Sequence, residues 1–128
     1  ASFLVALLTR RDANYGWAVA QARRFPRPWK TCDAALSEAF HLLGAGGIPA
    51  LSALLRRGAV ASTFGLADTP QEVLRLMQKY ADVPMSFAAA CRVRMTEILS
   101  EPVLLTTDTD FRIYRRLGRK TIPCVLPD

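Results

Sequence analysis

Acidic residues are scarce in this sequence. The chain contains 11 Asp and Glu residues against 17 Lys and Arg residues, which gives a formal net charge of +6 at pH 7. A basic surface on a small domain attracts polyanions, and nucleic acids are the first class to consider. Because the acidic residues are so few, the position of each one is informative about a candidate site.

Cysteines and long apolar runs are also rare. Cys32, Cys91 and Cys124 are odd in number, far apart and without metal-ligand spacing, which argues against a disulfide framework and fits a reducing compartment. The apolar runs at residues 2–8 and 49–55 fall short of the roughly 20 residues that a membrane helix needs. No basic-then-apolar leader opens the chain. We therefore expect a soluble, cytoplasmic protein without a membrane segment.

Histidine and phosphate-binding glycine motifs are nearly absent. His41 is the only histidine, so any histidine-activated nucleophile would depend on it. It lies one helical turn from Glu38 in a leucine-rich stretch, where a structural or surface role is the favoured interpretation. The glycine-rich stretch 44–47 lacks the lysine of a phosphate-binding loop, and no dinucleotide-binding motif is present.

The chain has the size and composition of one globular domain, which we place at residues 1–128. About half of the residues (51%) are hydrophobic, enough for one well-covered core. Helical and strand-like periodicity alternate along the chain, which predicts an α/β sandwich with a mainly parallel sheet. Residues 2–8 fit either a strand or a helix. Helices are predicted at 12–24, 31–43, 49–58, 69–80, 86–99 and 110–117, and strands at 59–64, 103–106 and 121–126.

Two carboxylates follow the strand predicted at 103–106. In parallel sheets, sites form beyond the carboxyl ends of the strands, which is where Asp108 and Asp110 lie. Mg²⁺ prefers oxygen ligands and commonly takes only one or two carboxylates. The alternative is that either aspartate caps the helix that follows.

Glu38 is a further candidate, in the middle of a predicted helix with mostly apolar neighbours. Burial of a carboxylate there would be costly without a partner, and the alternative is that Glu38 points to solvent. Ser86 is a good N-cap for the helix predicted at 86–99. The residue three positions on, where an acid could close a capping box or reach a neighbouring site, is Ala89.

A basic cluster follows the two aspartates, with Phe111 and Tyr114 interleaved among its residues. On the short helix predicted at 110–117, this cluster would form a basic surface beside Asp108, suited to sugar-phosphate contacts. The alternative is an ordinary solvated helix face. The cluster consists of Arg112, Arg115, Arg116, Arg119 and Lys120.

Four segments together resemble the PIN-domain family of VapC-like toxin ribonucleases. TCDAALSEA at 31–39 resembles the helix that presents the family's second acid, and LLTTDTDF at 104–111 resembles the segment that supplies the last acid. PMSFAAAC at 84–91 resembles the segment that normally carries an aspartate where Ala89 stands. Residues 2–12 are similar to the stretch that follows the family's first aspartate. The resemblance covers nearly the whole chain, in the right order.

The resemblance implies a three-layer sandwich with a mainly parallel central sheet and a site for Mg²⁺ or Mn²⁺. Glu38 and Asp108 are then the metal ligands, and Asp110 is an auxiliary catalytic carboxylate. The implied activity is endoribonuclease cleavage of single-stranded RNA, by a homodimer that an antitoxin protein inhibits. The Arg112 to Lys120 cluster would contact RNA phosphates.

The chain departs from the family pattern at two acids. Ala89 replaces one, and the other would precede Ala1, so we expect the first strand and first acidic residue of the domain to lie ahead of this chain. Fewer ligand charges weaken Mg²⁺ binding. The leading hypothesis is therefore a PIN-type ribonuclease with an incomplete acidic site, and the alternative is a non-catalytic PIN-like module that binds RNA or a protein.

A receiver-like signalling domain also gathers acids at strand ends and is a third interpretation. It requires a phosphorylatable aspartate at the end of a central strand and a lysine late in the chain. Lys120 could supply the lysine, but the strand predicted at 59–64 ends without an aspartate. The sequence therefore disfavours this class.

Overall fold

The computed structural model describes residues 1–128 and has a mixed α/β fold, as predicted. The helices are α1 (Ser2–Leu8), α2 (Tyr15–Arg24), α3 (Asp33–Leu43), α4 (Ile48–Arg56), α5 (Pro70–Lys79) and α6 (Phe87–Ile98). The strands are β1 (Trp29–Cys32), β2 (Val60–Phe64), β3 (Leu104–Leu105), β4 (Arg115–Arg116), β5 (Lys120–Thr121) and β6 (Cys124–Val125).

Sequence signals determine several helix ends. The Ala89 N–H donates a hydrogen bond of 3.0 Å to Ser86 Oγ, so Ser86 caps α6 as predicted. Gly44 ends α3 with φ 69°, a left-handed conformation that glycine adopts without a steric penalty. Residues 2–8 form a helix, which settles the ambiguity of their pattern.

The strands pair in three separate two-stranded sheets rather than in one continuous sheet. β1 pairs with β2 and β3 pairs with β6, and both pairs are parallel. β4 and β5 form an antiparallel hairpin. The predicted parallel pairing is thus present, while β1 and β3 each have one strand neighbour only.

Two hydrophobic cores lie on opposite faces of β3. Leu104 packs against a core built largely from α5, α6 and the segment that contains Phe111 and Tyr114. The next residue, Leu105, packs against a core built from α1, α2, α3, α4 and the start of β2. Because successive side chains of a strand point to opposite faces, β3 separates the two cores.

The prediction of a helix at 110–117 is wrong. Only Thr109–Arg112 form a short 3₁₀ turn, and the following residues form the β4–β5 hairpin with Arg116 opposite Lys120. Leu117 (φ 52°) and Gly118 (φ 85°) have left-handed backbone conformations that a right-handed helix excludes. The glycine that suggested a helix end is therefore part of a hairpin turn.

The strand predicted at 121–126 is divided at Pro123. Proline has no N–H to donate to a strand ladder, so regular pairing is interrupted there. The residues before it, in β5, pair with β4, and those after it, in β6, pair with β3.

The helices are short relative to a membrane. No single helix is long and apolar enough to cross one. α3 and the segment Ala45–Arg56 meet the length and composition requirement only together, and they are bent by 115° relative to each other.

Candidate acidic site

Asp108 lies in the loop that follows β3 and is exposed. Its Oδ1 accepts a hydrogen bond of 2.9 Å from the Asp110 N–H, and its own N–H donates to Thr106 Oγ1 at 3.0 Å. The capping role considered for Asp108 is therefore present. The hydrogen bonds of the structure leave Oδ2 without a partner, so this oxygen is free to interact with a cation.

The start of α1 holds the Asp108 loop in place. Ser2 Oγ lies 3.2 Å from Thr106 Oγ1 and accepts a hydrogen bond of 2.9 Å from the Thr107 N–H. Thr106 is fully buried. The two segments are separated by about a hundred residues in the sequence, and this contact places the α1 N-terminus at the carboxyl end of β3.

An aromatic cluster formed by Tyr80, Phe111 and Tyr114 supports the same loop from the other side. The Tyr114 ring lies 5.1 Å from that of Tyr80 and 5.4 Å from that of Phe111, both in edge-to-face geometry. Phe111 and Tyr114 are each 1% exposed, so they form core rather than a stacking surface for RNA bases. Burial and the nearby charges of Asp110 and Asp108 raise the pKa of Tyr114 to about 12.

Glu38 is exposed on α3, as one of the two interpretations of the sequence had it. Its negative charge nevertheless acts on the Arg92 guanidinium, which borders the Asp108 loop. The helix that carries Glu38, α3, packs against α1 and α6.

Arg92 is the site residue that the sequence analysis missed. Its Nη2 donates a hydrogen bond of 3.3 Å to the Leu105 carbonyl, and its guanidinium carbon lies 5.0 Å from the centre of the Phe111 ring. Burial lowers the pKa of Arg92, while Cys32, Glu38 and Asp108 act in the opposite direction. The available signal was its spacing, one helical turn beyond Ala89 on the same helix face.

Ala89 lies in the first turn of α6 and is 7% exposed, within the core that α5 and α6 share. Nowhere in the structure do three or more Asp, Glu, His or Cys side chains group as a set of metal ligands. Glu38 and Asp108 are too few to offset the dehydration of Mg²⁺ without further oxygen ligands. The residues present in this chain therefore do not fit a complete Mg²⁺ or Mn²⁺ site.

The predicted RNA-binding cluster divides into two groups. Arg115 Nη1 donates to the carbonyl groups of residues 112–114, and Arg116 donates through Nε (3.0 Å) and Nη2 to the Thr96 carbonyl. These two side chains stabilise the hairpin and the segment before it through hydrogen bonds to backbone carbonyls. The other three, Arg112, Arg119 and Lys120, are exposed and make no side-chain hydrogen bond.

A cleft of about 400 Å³ lies between β1 and β3. Lys30 and Leu105 line its two sides, Ala1 lies on its wall, and most of its lining is apolar. The Leu104 and Thr106 N–H groups bond to the β6 side, so the backbone of Leu105, between them, faces away from β6. The cleft is therefore bordered by strand edges that have no strand partner.

His41 is exposed, in agreement with the surface role favoured for it.

Comparisons with protein-family models, with curated proteins and with solved structures found no match for this chain.

Proposed function

We propose that this chain is a metal-dependent endoribonuclease domain of the PIN type whose acidic site is incomplete in the present sequence. One observation carries the proposal: Ser2 of α1 and Arg92 of α6 hold the strand and loop that lead to Asp108, and the helix that carries Glu38, α3, packs against both α1 and α6. Asp108 follows β3, and Glu38 lies on the helix that follows β1. Both strands belong to parallel pairs, and α/β folds place their sites beyond the carboxyl ends of such strands.

The two cores on opposite faces of β3 support the three-layer arrangement that the proposal requires. The cleft between β1 and β3 supports the expectation of a further strand, since an extended segment there would pair with both free edges and join the two parallel pairs.

Single-stranded RNA is the proposed substrate because the protein is basic and three cations of the predicted cluster are exposed. The net charge is +6, and Arg112, Arg119 and Lys120 are free for phosphate contacts. Homodimer formation and inhibition by an antitoxin protein, in a cytoplasmic setting, belong to the same proposal.

A second candidate is a non-catalytic PIN-like module that binds RNA or a protein. Ala89 favours it, because this residue is buried as part of a continuous apolar core and offers no metal ligand. The two candidates make opposite predictions for a chain whose acids are restored.

The deciding experiment is Mn²⁺-dependent cleavage of a mixed single-stranded RNA pool. The unchanged chain is compared with a chain that carries Ala89→Asp and an aspartate placed before Ala1. We expect only the repaired chain to cut, and Glu38→Gln or Asp108→Asn to abolish its activity. Asp82→Asn is the matched control, since Asp82 is an exposed acid in the loop before α6.

Failure of the repaired chain to cut, with RNA binding retained in both forms, would support the module instead. RNA binding is measured by fluorescence anisotropy at several salt concentrations. The salt dependence is the slope of the logarithm of the binding constant against the logarithm of the salt concentration. Loss of one phosphate contact should make this slope shallower by roughly one unit. Arg119→Gln should therefore reduce it, whereas the surface acid variant Asp82→Asn should not.

A further inference from the structure

Arg92 borders the loop that carries Asp108 on both of its sides. Its guanidinium bonds to the Leu105 carbonyl, three residues before Asp108, and lies over the Phe111 ring, three residues after it. On α6 it lies one turn beyond Ala89, so both side chains leave the helix on the same face. The Arg92 side chain therefore leaves α6 on the same face as the position at which the resemblance implies an acid.

This guanidinium makes no close ion pair. The structure contains a single salt bridge, Arg94 to Glu97 at 3.2 Å, which lies further along the same helix. The Arg92 side chain is instead held by one backbone carbonyl and one aromatic face, and the charges of Glu38 and Asp108 reach it through space. A charge removed from water is costly unless opposite charges compensate for it. Cys32, Glu38 and Asp108 offset part of that cost, although burial still lowers the pKa of Arg92.

We propose that Arg92 supplies the positive charge of the acidic site in place of a divalent cation, and so lowers the affinity of this site for Mg²⁺ and Mn²⁺. The inference rests on the proposed function, since it assigns Glu38 and Asp108 to one cation site. A fixed guanidinium near two carboxylates neutralises part of their field and repels a second cation. Ala89 and Arg92 both lower the affinity of the site for a divalent cation. Ala89 provides no ligand, and the positive charge of Arg92 weakens the attraction of the remaining acids for a metal ion.

The test is Mn²⁺ binding, measured by isothermal titration calorimetry without RNA. Arg92→Gln and Arg92→Leu are each prepared in the unchanged chain and in the chain that carries Ala89→Asp. We expect both variants to bind Mn²⁺ about tenfold more tightly than their parents, because a repelling charge has been removed. Arg92→Leu places no polar side chain at this position, although it removes the hydrogen bond to the Leu105 carbonyl, so it provides a second variant if Arg92→Gln does not fold.

Two controls separate charge from position. Arg92→Lys keeps the positive charge and should leave the Mn²⁺ affinity within about twofold of the parent. Arg94→Gln removes a positive charge two residues away, where the side chain bonds to Thr69 and Glu97 instead, and it should have no effect on Mn²⁺ binding. An affinity that does not change in the Arg92→Leu variants, or that rises equally with Arg94→Gln, would overturn the inference.

The outcome is separable from that of the proposed function. If Arg92→Leu raises the Mn²⁺ affinity and the repaired chain still cuts no RNA, the nuclease proposal fails and the role of Arg92 stands. If the repaired chain cuts RNA while Arg92→Leu leaves Mn²⁺ binding unchanged, the role of Arg92 fails and the nuclease proposal stands.

Discussion

The hydroxyl oxygens of Ser2 and Thr106 lie 3.2 Å apart and join the first helix to the loop that carries Asp108. Ser2 also accepts a hydrogen bond of 2.9 Å from the Thr107 N–H, so a single side chain satisfies two groups of that loop. Since Thr106 is fully buried, no water can replace the lost partner without local rearrangement. The position of Asp108 therefore depends on a residue at the opposite end of the chain.

The first prediction concerns this contact. Ser2→Ala should lower the free energy of unfolding by about 1–3 kcal/mol, because it leaves a buried hydroxyl and a backbone N–H without their partner. Urea denaturation followed by circular dichroism measures the change. Ser37→Ala, on the exposed face of α3, is the control and should change stability by less than about 0.5 kcal/mol. Equal effects of the two substitutions would contradict the assigned role of Ser2.

The second prediction concerns the N-cap of α6. Ser86 Oγ accepts the Ala89 N–H, which has no helical partner in the first turn. Ser86→Ala should cost about 1 kcal/mol of stability, while Ser86→Asp should retain most of the capping. Thermal denaturation of the three proteins tests this order. Indistinguishable melting temperatures for Ser86→Ala and the unchanged chain would show that the cap does not contribute.

The third prediction separates two arginines of the basic cluster. Arg116 donates to the Thr96 carbonyl near the end of α6, whereas Arg119 is exposed in the hairpin turn. Arg116→Gln should therefore destabilise the fold by roughly 1.5–3 kcal/mol, the range for hydrogen bonds from charged groups. Arg119→Gln should leave stability nearly unchanged and weaken RNA binding instead. Stability and RNA affinity are measured for both variants, and a reversed pattern would refute the assignment.

The fourth prediction concerns alkaline pH. Burial raises the pKa of Cys91 from 9.0 to about 11, with a further contribution from Cys32, and burial with nearby acids raises that of Tyr114 from 10.0 to about 12. Both groups stay protonated in the folded chain at a pH where the unfolded chain has already lost their protons. The free energy of unfolding should therefore fall as the pH rises from 9 to 12, since proton loss favours the unfolded state.

Variants locate the source of this pH dependence. Cys91→Ala and Tyr114→Phe should each flatten the decline, because each removes one group that ionises only on unfolding. Tyr15→Phe is the control, since Tyr15 lies at the start of α2 outside the aromatic cluster. If the free energy of unfolding falls equally steeply with pH in all four proteins, neither Cys91 nor Tyr114 causes the decline.

Local signals in the sequence predicted most of the helices and the strand at 59–64. Ser86 and Gly44 act over one turn of backbone, and their side-chain or conformational preferences do not depend on distant residues. The pattern at 110–117 was misread because a glycine after apolar residues with helical spacing suits both a helix end and a hairpin turn. The choice was made by the burial of Phe111 and Tyr114 against Tyr80, a contact across more than thirty residues.

The sequence by itself determined the candidate acids, because carboxylates after a predicted strand and within an apolar helix are visible without coordinates. Glu38 and Asp108 were named from such patterns, whereas an acid in place of Ala89 was implied only by the resemblance to the PIN family. Only the tertiary structure decided what surrounds them. Arg92 meets the Asp108 loop through a backbone carbonyl and an aromatic face, and Ser2 holds that loop from the other end of the chain. Such contacts depend on how α1, α6 and β3 pack together, and local periodicity carries no information about that packing.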